Sequence, residues 1–298
     1  MKVWMRRGLW AVLVLAAVVA ALVVAGLQLG ERRAARRFEI AVQAVPIPTD
    51  SAALERGRYL FTSRGCAECH GANGAGRTFA EDAKAGLKIA GANITRGGAG
   101  SKTSAYQPVD WVRAIRHGVD PTGRPLRVMP SEDYNRFTDA DVGALIAYTL
   151  SLPPAPGGPA VTQLPLPGRV LYGFGQIPDA VDRIDHKLPP AQPVPEGVTL
   201  EHGRYVANMC LGCHGEKLEG GKIPGAPPDW PAAARLAPGE GSVMARYADA
   251  EAFLKMLKTG QSPEGRALAV MPFDSLKHIS EVDARALHLY LKSLGAPR

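Results

Sequence analysis

Two short stretches constrain this chain more than anything else in it. Cys66-Ala67-Glu68-Cys69-His70 and Cys210-Leu211-Gly212-Cys213-His214 both read C-x-x-C-H, and they stand 144 residues apart. The chain has four cysteines, and these motifs use all of them. Two thiols three residues apart, followed at once by an imidazole, form the attachment signal for a c-type haem. Each thiol adds across one vinyl group, and the imidazole ligates the iron from the proximal side. The expected cofactors are therefore two covalently attached haem c groups, with Cys66, Cys69 and His70 on one and Cys210, Cys213 and His214 on the other.

Zinc and dithiol redox chemistry also use C-x-x-C. A zinc module with four cysteine ligands draws its pairs from much closer positions. A thioredoxin-type motif needs a βαβ context, and no strand-rich segment precedes either copy. A histidine directly after the second cysteine, twice, with no cysteine left over, fits haem and neither rival.

The formal charge of +7 raises the question of a nucleic-acid partner, and the position of the charge answers it. Residues 1–37 carry Lys2, Arg6, Arg7, Arg32, Arg33, Arg36 and Arg37 against Glu31, a local +6 that leaves only +1 for the remaining 261 residues. Four haem propionates would make that larger part slightly acidic, at roughly −3 with the irons reduced. The basic residues flank an apolar run, so no nucleic-acid partner is expected.

That run extends from Leu9 to Leu29, 21 residues with Gln28 as the one polar side chain. As a helix it is about 31 Å long, the thickness of a bilayer's hydrocarbon core. A cleaved signal peptide is the rival reading, with Val23-Val24-Ala25 as a cleavage site, but its apolar region is normally shorter. Trp4 and Trp10 suit the leading interface of an uncleaved anchor. Positive charges flank both ends and do not fix orientation. Covalent haem attachment does, since it takes place outside the bacterial cytoplasmic membrane: the N-terminus is expected inside and the haem-bearing part on the periplasmic side, in a single-pass inner-membrane protein.

Beyond the anchor, residues 1–37, a tether over 38–50 contains Pro46 and Pro48 and is expected to run extended as a stand-off spacer. Residues 51–152 and 197–298 then repeat one another. Gly57-Arg58-Tyr59 returns as Gly203-Arg204-Tyr205 before the motif. After it, at a constant offset of 142, Gly118 matches Gly260, Gly123-Arg124 matches Gly265-Arg266, Met129-Pro130 matches Met271-Pro272, Asp141 matches Asp283, and Tyr148 matches Tyr290. Two tandem domains of one kind are expected, after an N-terminal transmembrane helix, in an all-α fold.

Each copy reads as helical. Asp50 or Ser51 caps a first helix and Thr199 its counterpart. A second helix runs from Pro108 to Gly118 and from Asp249 to Gly260. A third opens at Thr138-x-x-Asp141 and Ser280-x-x-Asp283. First and last helices should cross in each copy, glycine against aromatic. Residues 153–196 hold 11 of the 25 prolines and should form an extended linker, in which Leu171-Tyr172-Gly173-Phe174 is able to pack.

The distal iron position decides between relay and catalysis. Met129 follows His70 by 59 residues and Met271 follows His214 by 57, both within Gly-Arg-x-Leu-x-Val-Met-Pro. A thioether coordinates both Fe(II) and Fe(III) and raises the potential relative to a second imidazole. The other five methionines have no such partner in the repeat. His70, Met129, His214 and Met271 are therefore the expected iron ligands, with His117 and His278 as alternatives lacking a histidine counterpart. His186 and His202 read as surface or linker residues and His288 as a face of the last helix. Arg124, Arg266, Asn93 and Trp111 are candidate propionate contacts.

These motifs resemble the class I cytochrome c superfamily in both halves. In the first half, Cys66 to His70, Asn93-Ile94-Thr95, the Trp111 to Gly118 helix and Met129-Pro130 resemble haem domains of the multihaem cytochrome subunits of membrane-bound alcohol and gluconate-type dehydrogenases. The resemblance implies helices wrapped round a haem edge and electron relay between redox partner proteins, a dehydrogenase, an oxidase or another cytochrome, without substrate chemistry. The sequence departs from those subunits in having two motifs where they usually carry three. A dihaem peroxidase with one open iron and a haem-based redox or gas sensor are the alternatives; the first needs a displaceable distal ligand and the second an output domain.

Overall fold

In the computed structural model, which describes residues 2–226 and 229–294, helix crossings at glycine organise both halves of the chain. The expected segments 1–37 and 197–298 each include positions outside the described residues. Helix α1 (Lys2–Ala34) is followed by α2 (Ser51–Ser63), the short α3 (Cys66–His70), α4 (Pro108–His117) and α5 (Asp139–Ser151). After α6 (Leu166–Gly173) come α7 (Leu200–Val206), α8 (Leu211–His214), α9 (Ala250–Thr259), α10 (Phe273–Leu276) and α11 (Glu281–Ser293). Gly57 of α2 lies on α5 so closely that a Cβ there would sit 2.0 Å from the Ala144 carbonyl oxygen and 2.7 Å from Tyr148 Cβ. Gly203 of α7 meets α11 in the same way, 2.0 Å from Ala286 O and 2.7 Å from Tyr290 Cβ. The pairing of glycine with aromatic read from the repeat is the contact the two crossings use.

Local chemistry sets the helix ends. The Asp50 side chain accepts from Ala53 N, Thr199 from His202 N, and Asp249 from Ala252 N. Gly118 and Gly260 close α4 and α9 in the left-handed conformation. Around the first crossing Leu60, Phe61, Trp111, Val112, Val142 and Ile146 form one buried cluster. Around the second, Phe253, Leu257, Leu276, Leu287 and Leu291 form another.

The all-α expectation needs one correction. A three-stranded antiparallel sheet joins β1 (Thr78–Asp82), β2 (Leu87–Ala90) and β3 (Val161–Gln163), in that order. Ala80 pairs with Ile89 and Glu81 with Lys88, and Ile89 pairs in turn with Thr162. Asp82 turns the hairpin by accepting the N–H groups of Lys84 and Ala85 through its side chain. The strands are too short to show a period in sequence, and β3 comes from the proline-rich segment far along the chain.

The stand-off spacer also needs correcting. Residues 40–49 are extended, as their prolines require, but they lie along the first half. Val45 is buried in its core with Val42 and Ile47 packed beside it, and the Pro46 carbonyl oxygen would lie 2.2 Å from a Cβ on Gly143. Alternating apolar residues between prolines form a packed strap because each apolar side chain buried against α5 offsets the cost of ordering the backbone.

Candidate functional site

Helix α3 brings Cys66, Cys69 and His70 onto one turn, and α8 completes the same arrangement for Cys210, Cys213 and His214. The thiols are free, not paired as disulfides. Burial pushes Cys66 and Cys210 up to about 12, so neither resembles the acidified thiol of a disulfide-exchange site. Among the described residues no group of three or more His, Cys, Asp or Glu is placed to hold a metal ion, which sets aside a shared zinc site.

The two imidazoles are held identically. His70 Nδ1 lies 2.8 Å from the Ala92 carbonyl oxygen and His214 Nδ1 lies 2.7 Å from that of Ala234. A carbonyl can only accept, so Nδ1 carries the proton in both rings and Nε2 keeps its lone pair. Burial lowers both histidines, keeping them neutral, with the carbonyl contacts opposing it. A neutral ring with its tautomer fixed by a backbone carbonyl is what a metal-ligating histidine requires. The donor set therefore fits a c-type haem on each motif.

Met129 is partly buried and packs on the same cluster as Cys66 and Ala67, while Met271 packs on the other with Cys210 and Leu211. The structure thus brings each methionine to the core wall that carries the motif expected to share its iron. The loops differ in one respect: Val270, just before Met271, has φ 77, a strained conformation for a β-branched residue.

Other sequence candidates fall elsewhere. Asn93 is fully buried and spent on backbone, donating to Ala99 O and Ala155 O while its Oδ1 accepts from Thr95. Trp111 is a core residue stacked edge-on against Tyr106. Arg124 and Arg266 are exposed. His117 Nδ1 lies 3.0 Å from His186 Nδ1, and His288 Nε2 meets the Tyr247 carbonyl. The His278 N–H donates to Ser275 O. His202 is the correction among them: read as a surface or linker residue, it is 2% exposed, with Nε2 2.7 Å from Asp283. Its helix buries that face because Gly203 draws α7 tight against α11.

Sequence reasoning missed the face on which the two halves meet, which repeats the same chemistry in both directions. Tyr59 donates its hydroxyl to Asp283 at 2.6 Å and accepts from Ser280 N at 3.1 Å. Tyr205 donates to Asp141 at 2.6 Å and accepts from Thr138 N at 3.2 Å. Each tyrosine enters the N-cap of the other half's last helix, where it takes the place of the carboxylate in a capping box. Asp141 also binds Arg56 through both oxygens, at 2.8 and 2.9 Å, and Asp283 also binds Arg64. Glu68, inside the first motif, accepts from Ser275 N at 3.0 Å; Gly212, inside the second, donates its N–H to Asp133 at 2.8 Å. Burial works to raise the Asp283 carboxyl, but the Arg64 charge and hydrogen bonds from Tyr59, Arg64 and His202 outweigh it and hold the group at about 2. The signal was present in the repeated Tyr59/Tyr205 and Asp141/Asp283, whose partners lie across the halves.

Comparison with known proteins follows the same lines. The chain is 28% identical over 271 residues to the fructose dehydrogenase cytochrome subunit of Gluconobacter japonicus, an alignment covering 85% of this chain and 55% of that one. It is 28% identical over 279 residues to the gluconate 2-dehydrogenase cytochrome c subunit of Pantoea cypripedii, covering 83% of this chain and 60% of that one. The chain spans little more than half the length of these curated relatives. The sequence model of the cytochrome c family, whose domain implies covalently bound haem c, matches residues 54–153, a segment that ends before Cys210. Over residues 54–153 the chain is thus similar to the cytochrome c family.

Proposed function

We propose that this chain is a membrane-anchored dihaem cytochrome c that relays single electrons on the outer side of the bacterial cytoplasmic membrane. Cys66 and Cys69 would hold the first haem, with His70 and Met129 as axial ligands; Cys210 and Cys213 would hold the second, with His214 and Met271. When bound, haem supplies a one-electron iron couple. The chain's own residues do the rest. Ala92 O and Ala234 O orient the imidazoles, the two apolar clusters keep water from the sites, and the reciprocal tyrosine and carboxylate contacts fix one site relative to the other.

The observation that carries this reading is the duplication of the donor set, motif, fixed tautomer and methionine, on two separate cores. An iron with one imidazole and one thioether has no vacancy for substrate, which favours relay over a peroxidase. Helix α1 is long and apolar enough to cross a membrane, and its most apolar 18-residue stretch is not buried. Pyridine haemochrome assay of the purified chain should give two haems, and the reduced protein at neutral pH should bind no carbon monoxide. One haem per chain would overturn the duplicate reading, and carbon monoxide binding would favour an open, catalytic iron.

The similarity to cytochrome subunits of fructose and gluconate dehydrogenases supports a narrower reading, in which the electrons arrive from a dehydrogenase. Co-purification of a dehydrogenase from detergent-solubilised membranes tests it; isolation of the chain alone would favour a free-standing carrier.

A further inference from the structure

Helix α1 has a companion at the end of its apolar run. Val23, Gly26, Leu27 and Gly30 recur on one face and are covered to differing degrees, and the cover is α6. A Cβ on Gly173 would fall 1.8 Å from the Gly26 carbonyl oxygen, and one on Gly26 would fall 2.8 Å from Val170 Cγ1 and 3.0 Å from Phe174 Cε2. Just beyond, Arg33 donates to Asp182 at 2.6 Å and Arg36 to the buried Asp179 at 3.0 Å, while Arg33 lies 5.2 Å over the Tyr172 ring. Phe38 N donates to Gly123 O at 2.9 Å. The two helices are therefore locked together where α1 ends.

Beside its contact with α1, α6 leaves apolar surface uncovered, and Phe174, whose ring edge meets Gly26, is part of it. Leu171 is 45% exposed and Phe174 42%, with exposed Pro167 one turn earlier at helical spacing. Arg32 near the end of α1, Arg37 just after it and Arg169 on α6 are exposed. Gly26 lies three residues inside the end of the Leu9–Leu29 run, about 5 Å along the helix axis. An element packed on Gly26 thus sits at the level where hydrocarbon gives way to headgroups. There an amphipathic helix buries its apolar side chains roughly 5–10 Å deep, with cations among the lipid phosphates.

We propose that α6 is an interfacial helix, with Leu171 and Phe174 entering the lipid leaflet at the C-terminal end of α1. The lipid is the occupant because this face continues the lipid-facing surface of α1. Two apolar elements locked together set the tilt of the whole protein on the membrane, which a single helix on a loose tether would leave free. The inference rests on α1 being a membrane span.

The test uses the full-length haem-loaded chain in phosphatidylcholine and phosphatidylglycerol vesicles, with the native thiols tied up in thioethers. Nitroxides are placed singly through Leu171→Cys, Phe174→Cys, Leu15→Cys in mid-span and Lys84→Cys in the hairpin turn. Collision rates with oxygen and with a water-soluble nickel chelate then give depth. Leu15→Cys should show the highest oxygen-to-nickel ratio, Lys84→Cys the lowest, and the α6 sites should lie several-fold above Lys84→Cys. If the α6 sites match Lys84→Cys while Leu15→Cys stays deep, the interfacial helix is wrong and the anchor stands. If Leu15→Cys is itself aqueous, both fail. Shielding of the α6 sites from both reagents would place a protein there and overturn the proposal.

Discussion

Asp283→Asn tests the joint between the two halves. The carboxylate is fully buried, with three donors converging on it: Tyr59 and Arg64 on one oxygen and His202 on the other. An amide keeps the shape, loses the charge and turns an NH2 group towards one of those donors. Arg64, whose side chain is 4% exposed, is then left as a buried cation without its counter-ion. Breaking a buried pair by removing one partner costs about 3–5 kcal/mol. In urea, with a slope of about 3 kcal/mol per M, the unfolding midpoint should fall by roughly 1–2 M, read by far-ultraviolet circular dichroism in detergent. Asp141→Asn is the internal comparison: its partner Arg56 is 26% exposed, so water takes over part of the lost interaction and about 1–2 kcal/mol is expected. Acid gives a second reading of the same interaction. The Asp283 carboxyl is held at about 2 against an ordinary 3.8, so its contribution, about 2 kcal/mol, is present above the ordinary value and disappears as pH falls towards 2. The Asn variant should lack that acid-sensitive component. A cost below about 1 kcal/mol, or a cost no larger than that of Asp141→Asn, would refute the assignment of Arg64 and Asp283 as the strong contact.

Gly57→Ala and Gly203→Ala should each destabilise by about 1–3 kcal/mol in the same assay, because the added Cβ meets a carbonyl oxygen 2.0 Å away and the helices must part. Met129→Ala should leave haem attached through Cys66 and Cys69 but let one carbon monoxide bind per reduced chain, with Met271→Ala doing the same at the second site; an unchanged spectrum in either would remove that methionine from the ligand set. Deleting residues 1–29, which leaves Arg33 and Arg36 on their acidic partners, should move most of the protein into the soluble fraction on membrane sedimentation.

What could be read from the sequence depended on how far apart the interacting residues lie. Helix caps at Asp50, Thr138, Thr199 and Ser280 involve neighbours three residues away, and the structure has all four. The crossings at Gly57 and Gly203 were legible because the repeat displayed each glycine and its aromatic partner twice. The sheet was not, since Val161 pairs with a strand 71 residues earlier and three residues carry no period. Nor was the fate of Asp141 and Asp283. Their spacing to Thr138 and Ser280 suggested a capping box, yet each carboxylate turns to a tyrosine of the other half. A motif within one segment cannot reveal a partner that arrives only when two segments dock, and the same is true of His202, whose burial is set by its neighbour Gly203 and not by its own polarity.

In the proposed function both irons are closed by one imidazole and one thioether. Near-infrared magnetic circular dichroism of the oxidised full-length chain tests it most directly, because the charge-transfer band of low-spin haem distinguishes methionine from a second histidine. Two low-spin haems with histidine and methionine ligation are predicted. A high-spin centre, or bis-histidine ligation at either haem, would overturn this ligation.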